Sequence, residues 1–369
     1  MHDQRWMRLA LSLGARGLGQ TWPNPAVGCV LVSKGRVVGR GWTAPGGRPH
    51  AEVAALAQAG RGARGACAYV SLEPCNHRGN TGPCAQALID AGVARVVVTC
   101  EDPDPRVAGG GIARLRAAGV EVVTGVCAAE AEAAHAGFFK RVRSGRPMVT
   151  LKLATSLDGR IATGSGESQW ITGPEARRRV HGMRANHDAV LVGAGTARAD
   201  DPSLTVRGMG KMAQPVRVVI SGRLDVPVGS SLGRTATAVP VWMIHGPEAP
   251  DRARDTWRAA GARLIEVAVG PTGQVDVLAA LCALGDIGLT RVFCEGGGTL
   301  GASFLAADLV DEMAVFGGGI MLGAEGIPAI GALGIAALAQ APQFALQGVE
   351  RIGSDVLSLW RRRVTQIGN

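Results

Sequence analysis

Apolar runs of strand length alternate with helical stretches along nearly the whole chain. Residues 27–32 and 36–42 predict two strands that turn at Lys34-Gly35. Residues 50–59 predict a helix whose buried side carries Val53, Ala54 and Leu56. A strand at 66–72, a helix at 84–91 stopped by Gly92, and a strand at 95–100 continue the pattern. A helix at 112–118 and a strand at 120–124 follow. Such alternation predicts an α/β layer, with helices packed on a mostly parallel sheet. Residues 128–143 read as one long polar-faced helix, closed by Ser144-Gly145-Arg146-Pro147. Proline forces the residue before it out of the helical region, which sets a domain boundary here. Further strands are predicted at 148–154, 189–192, 216–220, 240–244 and 290–294, with a helix at 174–185 opening on Pro174.

A length of 369 residues fits two domains, 1–145 and 147–369. With 47% hydrophobic and 19% charged residues, a disordered chain is excluded. The 54 glycines follow no Gly-X-Y period, which excludes collagen. Asp3, Arg5, Arg8 and Arg16 interrupt the first twenty residues, so they lack the apolar core of a signal peptide. The best apolar tract, 327–339, is broken by Pro328 and falls short of the roughly 18 residues of a membrane span. Eight cysteines without a signal peptide point to reduced thiols and a cytoplasmic location. The net charge of +9 suits an anionic partner. With one Tyr and six Phe there is little to stack on bases, which favours small phosphorylated molecules over nucleic acid.

The strongest local signal is Pro49-His50-Ala51-Glu52, followed by Glu73-Pro74-Cys75 and then Cys84. One imidazole and two thiolates suit Zn2+ with a fourth tetrahedral position left for water. Glu52 is a carboxylate the metal does not need, placed to move that water's proton to a ring nitrogen and a departing amine. His-x-Glu with Pro-Cys is the arrangement of zinc nucleobase deaminases. Those enzymes separate their cysteines by two residues, and here the gap is eight. Pro83 in the first turn of the Cys84 helix, with Gly79 and Gly82 in the loop, keeps a shared site feasible. A closed structural site with His77 as fourth ligand would leave Glu52 without a task. Cys29, Cys67, Cys100, Cys127, Cys282 and Cys294 read as core packing.

Thr21-Trp22-Pro23-Asn24-Pro25-Ala26-Val27-Gly28, Pro49-His50-Ala51-Glu52 and the stretch from Leu72 to Cys84 resemble the bifunctional riboflavin-biosynthesis deaminase/reductase family. The eight-residue gap is typical of that family. The resemblance implies a cytidine-deaminase-like three-layer α/β domain that deaminates a phosphoribosylamino-pyrimidine, with Asn24 at the pyrimidine. The chain departs from the family at Thr43, where histidine is usual, and at Asn80, where arginine or lysine is usual. It also has Thr81-Gly82-Pro83 where Thr-Pro-Pro is common.

The second half is less specific by itself. Val192-Gly193-Ala194-Gly195-Thr196 and Glu295-Gly296-Gly297-Gly298-Thr299-Leu300 are glycine-rich turns after apolar strands, able to bring backbone amides to a phosphate. Neither matches the Gly-x-Gly-x-x-Gly dinucleotide fingerprint, so a Rossmann domain is not indicated. Leu151 to Arg160, Gly166 to Thr172, Ala199 to Arg207 and the turn at Glu295 resemble the family's reductase domain. That resemblance implies a dihydrofolate-reductase-like α/β fold that uses NADPH. It puts Ala154, Trp170, Thr196, Asp200 and Gly222 on cofactor positions, with the turn Gly297, Gly298, Thr299, Leu300, Gly301, Ala302 and Ser303. Ser168, Arg184, Leu204, Arg207 and Glu295 fall on substrate positions, and Lys152 and Asp200 near the reacting ribose. Arg184 and Arg207 suit a phosphate as a pair. Ser221-Gly222 stands where the family often has Asp-Ser.

Together the two halves would exchange a pyrimidine amine for oxygen and reduce the ribosyl chain to ribityl. Two other readings are a reductase carrying an inactive zinc domain and a nucleic-acid base deaminase. The latter calls for a two-residue cysteine gap and a basic groove interleaved with aromatics, and neither is seen. A homo-oligomer is expected, as for most such enzymes.

Overall fold

The computed structural model describes residues 2–76, 82–270 and 273–363 and divides into two compact units, Met1–Arg146 and Pro147–Asn369. His77, Asn80, Gly79 and Thr81 lie outside the described residues. Among those described, no helix is long and apolar enough to cross a membrane.

The first unit contains helices α1 (His2–Gly14), α2 (Ala51–Ala59), α3 (Cys84–Asp90), α4 (Gly110–Ala117), α5 (Ala128–Ala134) and α6 (Ala136–Ser144). Its strands are β1 (Gly28–Ser33), β2 (Arg36–Trp42), β3 (Cys67–Val70), β4 (Arg95–Val98) and β5 (Glu121–Val123), in the order β2-β1-β3-β4-β5. Strand alternation sorts the apolar side chains into two layers. Val30, Val32, Tyr69 and Val97 meet Trp6, Met7, Ala10 and Leu13 of α1. Cys29, Leu31, Val70, Val96 and Val98 meet Ala51 and Ala55 of α2, Ala85 and Leu88 of α3, and Ile112 and Leu115 of α4. The unit is therefore three layers, helix on sheet on helix.

Three glycines let the helices lie close to the sheet. A Cβ at Gly28 would stand 1.9 Å from the Ala10 carbonyl oxygen, at Gly39 2.2 Å from that of Ala55, and at Gly41 2.4 Å from that of Ala51. Gly28→Ala is thus expected to cost about 1–3 kcal/mol by overpacking. Hydrogen–deuterium exchange, which follows each unit separately, should show faster opening of the first unit with the second unmoved.

Two sequence expectations are corrected here. The first sheet is not mostly parallel, because β1 runs antiparallel to both β2 and β3 while β3, β4 and β5 are parallel. Lys34 and Gly35 both have positive φ, 49° and 73°, the backbone a tight hairpin requires. The long helix at 128–143 is two helices, broken at His135 (φ −96°, ψ 7°). His135 is buried, and its Nε2 lies 2.7 Å from the Ser71 carbonyl oxygen, a contact that ties the break to the loop after β3.

The second unit contains β6 (Met148–Thr155), β7 (Arg160–Ala162), α7 (Pro174–Ala185), β8 (Ala189–Gly193), α8 (Ala194–Asp200) and β9 (Val216–Ile220). It continues with α9 (Ser231–Arg234), β10 (Val241–His245), α10 (Asp251–Ala259), β11 (Arg263–Glu266), α11 (Val277–Ile287), β12 (Arg291–Cys294) and α12 (Gly298–Ala306). Strands β13 (Glu312–Gly317), β14 (Ile327–Pro328), β15 (Phe344–Ile352) and β16 (Asp355–Arg362) complete it. The main sheet runs β11-β10-β9-β8-β12-β6-β13-β16-β15. Every pair from β11 to β13 is parallel, and the last two strands form an antiparallel hairpin that the sequence pattern did not predict. Ligands of open parallel sheets bind beyond the carboxyl ends of the strands, and β6, β8, β9 and β12 all end on one cavity.

Candidate functional sites

In the first unit, His50 is the extended residue that opens α2, and Cys84 is the first residue of α3. Cys75 lies in the loop between β3 and α3. The His50 Nδ1 atom is 3.3 Å from Cys84 Sγ and 3.6 Å from Cys75 Sγ, and the three donor atoms lie within 4.8 Å of one another. Tetrahedral zinc with bonds of about 2.0–2.3 Å requires N···S edges of roughly 3.5 Å, so the donor set and its spacing fit that ion. The Cys84 amide donates to Cys75 Sγ at 3.5 Å. Hydrogen bonding from Cys84 and from His50 brings the Cys75 thiol down to about 4, against the opposing effect of burial. Contact with Cys75 together with burial pushes the Cys84 thiol well up. The two shifts run in opposite directions, so Cys75 is the thiol of the pair that gives up its proton more readily.

Glu52 sits in the first turn of α2, 3% exposed. Burial, with the Cys75 charge beside it, pushes its carboxyl up to about 7. A carboxyl poised there can both accept and release a proton at neutral pH.

Asn24 is half-buried in the loop before β1. Gly47, at φ 84°, faces it so closely that a Cβ would lie 2.0 Å from Asn24 Nδ2, which puts Asn24 against the loop leading into His50. Thr43 is buried, and its hydroxyl oxygen accepts from the Val27 amide at 3.0 Å. It serves the backbone there. The sequence motif includes Glu73 but assigns it no role; it is a buried carboxylate that accepts from four backbone amides: Asp102, Gly109, Gly111 and Ile112. Its place two residues before Cys75 was the available signal.

In the second unit the cavity has a volume of about 1140 Å³. That is slightly above the roughly 300–1,000 Å³ usual for a small-molecule site. Its wall includes Ala154, Trp170, Thr196, Asp200, Gly222, Gly297, Thr299, Leu300 and Ser303 from the expected cofactor set. Ser168, Arg184, Leu204, Arg207 and Glu295 from the expected substrate set also line it. Gly298, Gly301 and Ala302 lie off the wall. A Cβ on Gly298 would meet the Pro328 and Ala329 carbonyl oxygens, one on Gly301 would meet Ile330, and Ala302 is buried. The two glycine turns are joined, since the Gly297 amide donates to Thr196 Oγ1 at 2.9 Å.

Arg184 does not present an open cation with Arg207. Its Nε donates to Glu295 Oε1 at 2.5 Å, its Nη2 to Oε2 at 3.1 Å, and its Nη1 to the Thr205 carbonyl at 2.8 Å. Arg207 is exposed on the wall. Lys152 Nζ stands 3.9 Å from Glu295 Oε2. Burial lowers the Lys152 ammonium from its ordinary value, with Glu295 opposing, and burial raises Asp200, with Lys152 opposing. Sequence reasoning also missed Arg217, a buried cation whose donors go to Thr235, Val239 and the Ser203 carbonyl beside Leu204. Ser221 lines the wall with Gly222 and Arg223, and its hydroxyl donates to Asp225 at 2.6 Å.

Residues 147–358 match the RibD C-terminal domain model, and residues 1–100 match the cytidine and deoxycytidylate deaminase zinc-binding region. The riboflavin biosynthesis protein RibD of Escherichia coli (strain K12) is 42% identical over 369 residues, covering 96% of this chain and 98% of that protein. The solved structure of RibD from Acinetobacter baumannii is 39% identical and superposes with a TM-score of 0.86, covering 98% of this chain and 99% of that one. A diaminohydroxyphosphoribosylaminopyrimidine deaminase/5-amino-6-(5-phosphoribosylamino)uracil reductase from Thermotoga maritima is 32% identical, with a TM-score of 0.85 over 98% of this chain and 99% of that one.

Proposed function

Because the chain belongs to the RibD family of bifunctional riboflavin-biosynthesis enzymes, with a zinc deaminase unit and an NADPH-dependent reductase unit, we propose which residues carry each reaction. The first reaction deaminates 2,5-diamino-6-ribosylamino-4(3H)-pyrimidinone 5′-phosphate, and the second reduces its ribosyl chain to ribityl. His50, Cys75 and Cys84 hold the metal. Zinc, when bound, lowers the pKa of a water at the fourth tetrahedral position to about 7. Glu52 relays two protons in turn: the first from the attacking water to the ring nitrogen, the second from the hydroxyl of the resulting tetrahedral carbon to the amine, which leaves as ammonia as the carbonyl forms. Asn24 orients the pyrimidine from the loop that Gly47 keeps open. Thr43 contributes by holding Val27 in place rather than by contacting substrate.

In the reductase unit, NADPH supplies hydride to the sugar carbon attached to nitrogen. Trp170, Thr196, Asp200 and the start of α12, through Gly297, Thr299, Leu300 and Ser303, hold the dinucleotide against the ends of β6, β8 and β12. Arg207 receives the substrate phosphate, while the Arg184–Glu295 pair fixes the wall beside Lys152. Lys152 and Asp200 assist at the ribose oxygens.

The observation that carries the deaminase assignment is the buried Glu52 carboxyl two residues from a donor set of zinc geometry. Stripping the metal with a chelator is expected to abolish ammonia release from the diamino-pyrimidine and to leave NADPH oxidation on the deaminated pyrimidine unchanged. Ammonia release that survives full metal removal would overturn it.

We also infer a cytoplasmic homo-oligomer. None of the eight cysteines is joined in a disulfide, in keeping with a reducing compartment. The edge strand β15 presents Leu346 at 50% and Val349 at 63% exposure, apolar groups on an open sheet edge of the kind a partner covers.

A further inference from the structure

The two zinc cysteines are separated by eight residues, too long a segment to hold a chelate by its own stiffness. Something outside the segment must fix their positions. Helix α4 contributes no donor atom to the metal cluster, yet it grips the chain on both sides of it. At its N-terminal end, the Gly111 and Ile112 amides donate to Glu73 Oε1 at 2.9 and 3.1 Å. The Gly109 and Asp102 amides donate to Glu73 Oε2 at 3.0 and 3.1 Å. Four such bonds to one buried carboxylate fix it firmly, and two covalent steps later comes Cys75. Gly111 also abuts the peptide before Cys75, since a Cβ there would lie 1.9 Å from the Pro74 carbonyl oxygen.

One turn along, the same helix reaches the other flank. Arg114 Nη1 donates to Asn76 Oδ1 at 3.0 Å, directly after Cys75. Its Nε and Nη2 donate to Gln86 Oε1 at 3.0 and 2.6 Å, two residues after Cys84 on α3. A single guanidinium therefore ties the residue beside one thiol to the helix that carries the other.

We propose that α4 is a positioning clamp for the zinc site, acting through Glu73 on Cys75 and through Arg114 on Asn76 and Gln86. If Glu73 were only a helix cap, its bond to the Asp102 amide, eight residues before α4 begins, would have no purpose. The fork geometry of Arg114 is what lets one side chain hold two amide oxygens at once. Groups that orient metal ligands without touching the ion typically change metal affinity by 10–100-fold when removed.

The proposal rests on His50, Cys75 and Cys84 being the zinc ligands, and the test separates the two. The full-length zinc enzyme is mixed with excess chromogenic chelator, and zinc release is timed. If the ligand assignment is wrong, the wild-type protein carries no stoichiometric zinc that Cys75→Ser removes. If the clamp is right, Arg114→Ala releases zinc about 10–100-fold faster than wild type. Glu73→Gln shifts release in the same direction, and both variants oxidise NADPH at the wild-type rate. Cobalt-substituted Arg114→Ala should also show altered thiolate-to-metal absorption, which a remote surface change would not produce. Arg114 is exposed, so its variant folds and decides the matter even if Glu73→Gln does not. Arg116→Ala, on the same helix but outside the clamp, should release zinc as wild type does. Wild-type release from Arg114→Ala, or equal acceleration in Arg116→Ala, would overturn the clamp.

Discussion

Glu52→Gln is expected to slow ammonia release by about 10²–10⁴-fold, the usual contribution of a positioned general acid–base. The side chain keeps its size and its place in the first turn of α2, so the 3% exposed site should stay packed. Glutamine can no longer take a proton, so loss of rate without loss of zinc is the expected signature. Zinc content should remain one per chain, and NADPH oxidation on the deaminated pyrimidine should match wild type. The reductase activity thereby reports on the integrity of each preparation. A variant that keeps zinc and deaminates at the wild-type rate would remove Glu52 from the mechanism. A variant that loses zinc would instead assign Glu52 to the stability of the site.

The clustering of His50, Cys75 and Cys84 was legible in sequence because its members are close along the chain. His50 and Glu52 lie two residues apart at a helix start, and Cys75 and Cys84 sit in one loop and the helix after it. The long gap between the cysteines concealed the contacts around them, because Glu73 and Arg114 bond across 28 to 39 residues of sequence. In the second unit the strand ends were legible, and with them the turns at Gly193 and Glu295. The electrostatics were not. Arg184 and Glu295 are 111 residues apart in sequence, so only the folded sheet reveals that the arginine is already paired. The hairpin β15–β16 was missed for a different reason. Much of β15 is exposed on both faces, so it lacks the apolar alternation that marks a half-buried strand. The break at His135 depends on a contact with Ser71, 64 residues earlier, which no local pattern encodes.

The pairing of Arg184 with Glu295 leads to the second large effect. The two side chains are 11% and 9% exposed and joined by two hydrogen bonds. Arg184→Ala leaves Glu295 with Lys152 at 3.9 Å as its remaining cation. Breaking a buried ion pair from one side costs roughly 3–5 kcal/mol, because the other charge stays buried without its partner. The second unit should therefore unfold at lower denaturant, and the KM for the deaminated pyrimidine should rise as the wall beside Leu204 loosens. The pH dependence gives an independent check. Burial tends to raise the Glu295 carboxyl, but Arg184 and Lys152 overcome it and hold the group below its ordinary value. A depressed carboxyl stabilises the fold above the unfolded value near 4.5, and that contribution is lost as pH falls through the folded value. Without Arg184, burial regains weight and the carboxyl rises. The acid limb of the stability profile should then move to higher pH. Lysine at this position restores the charge but not the fork, so Arg184→Lys should recover part of the stability and less of the KM. An unchanged acid limb in Arg184→Ala would mean that Glu295 is neutralised by Lys152 alone, and that the arginine serves the Thr205 carbonyl instead.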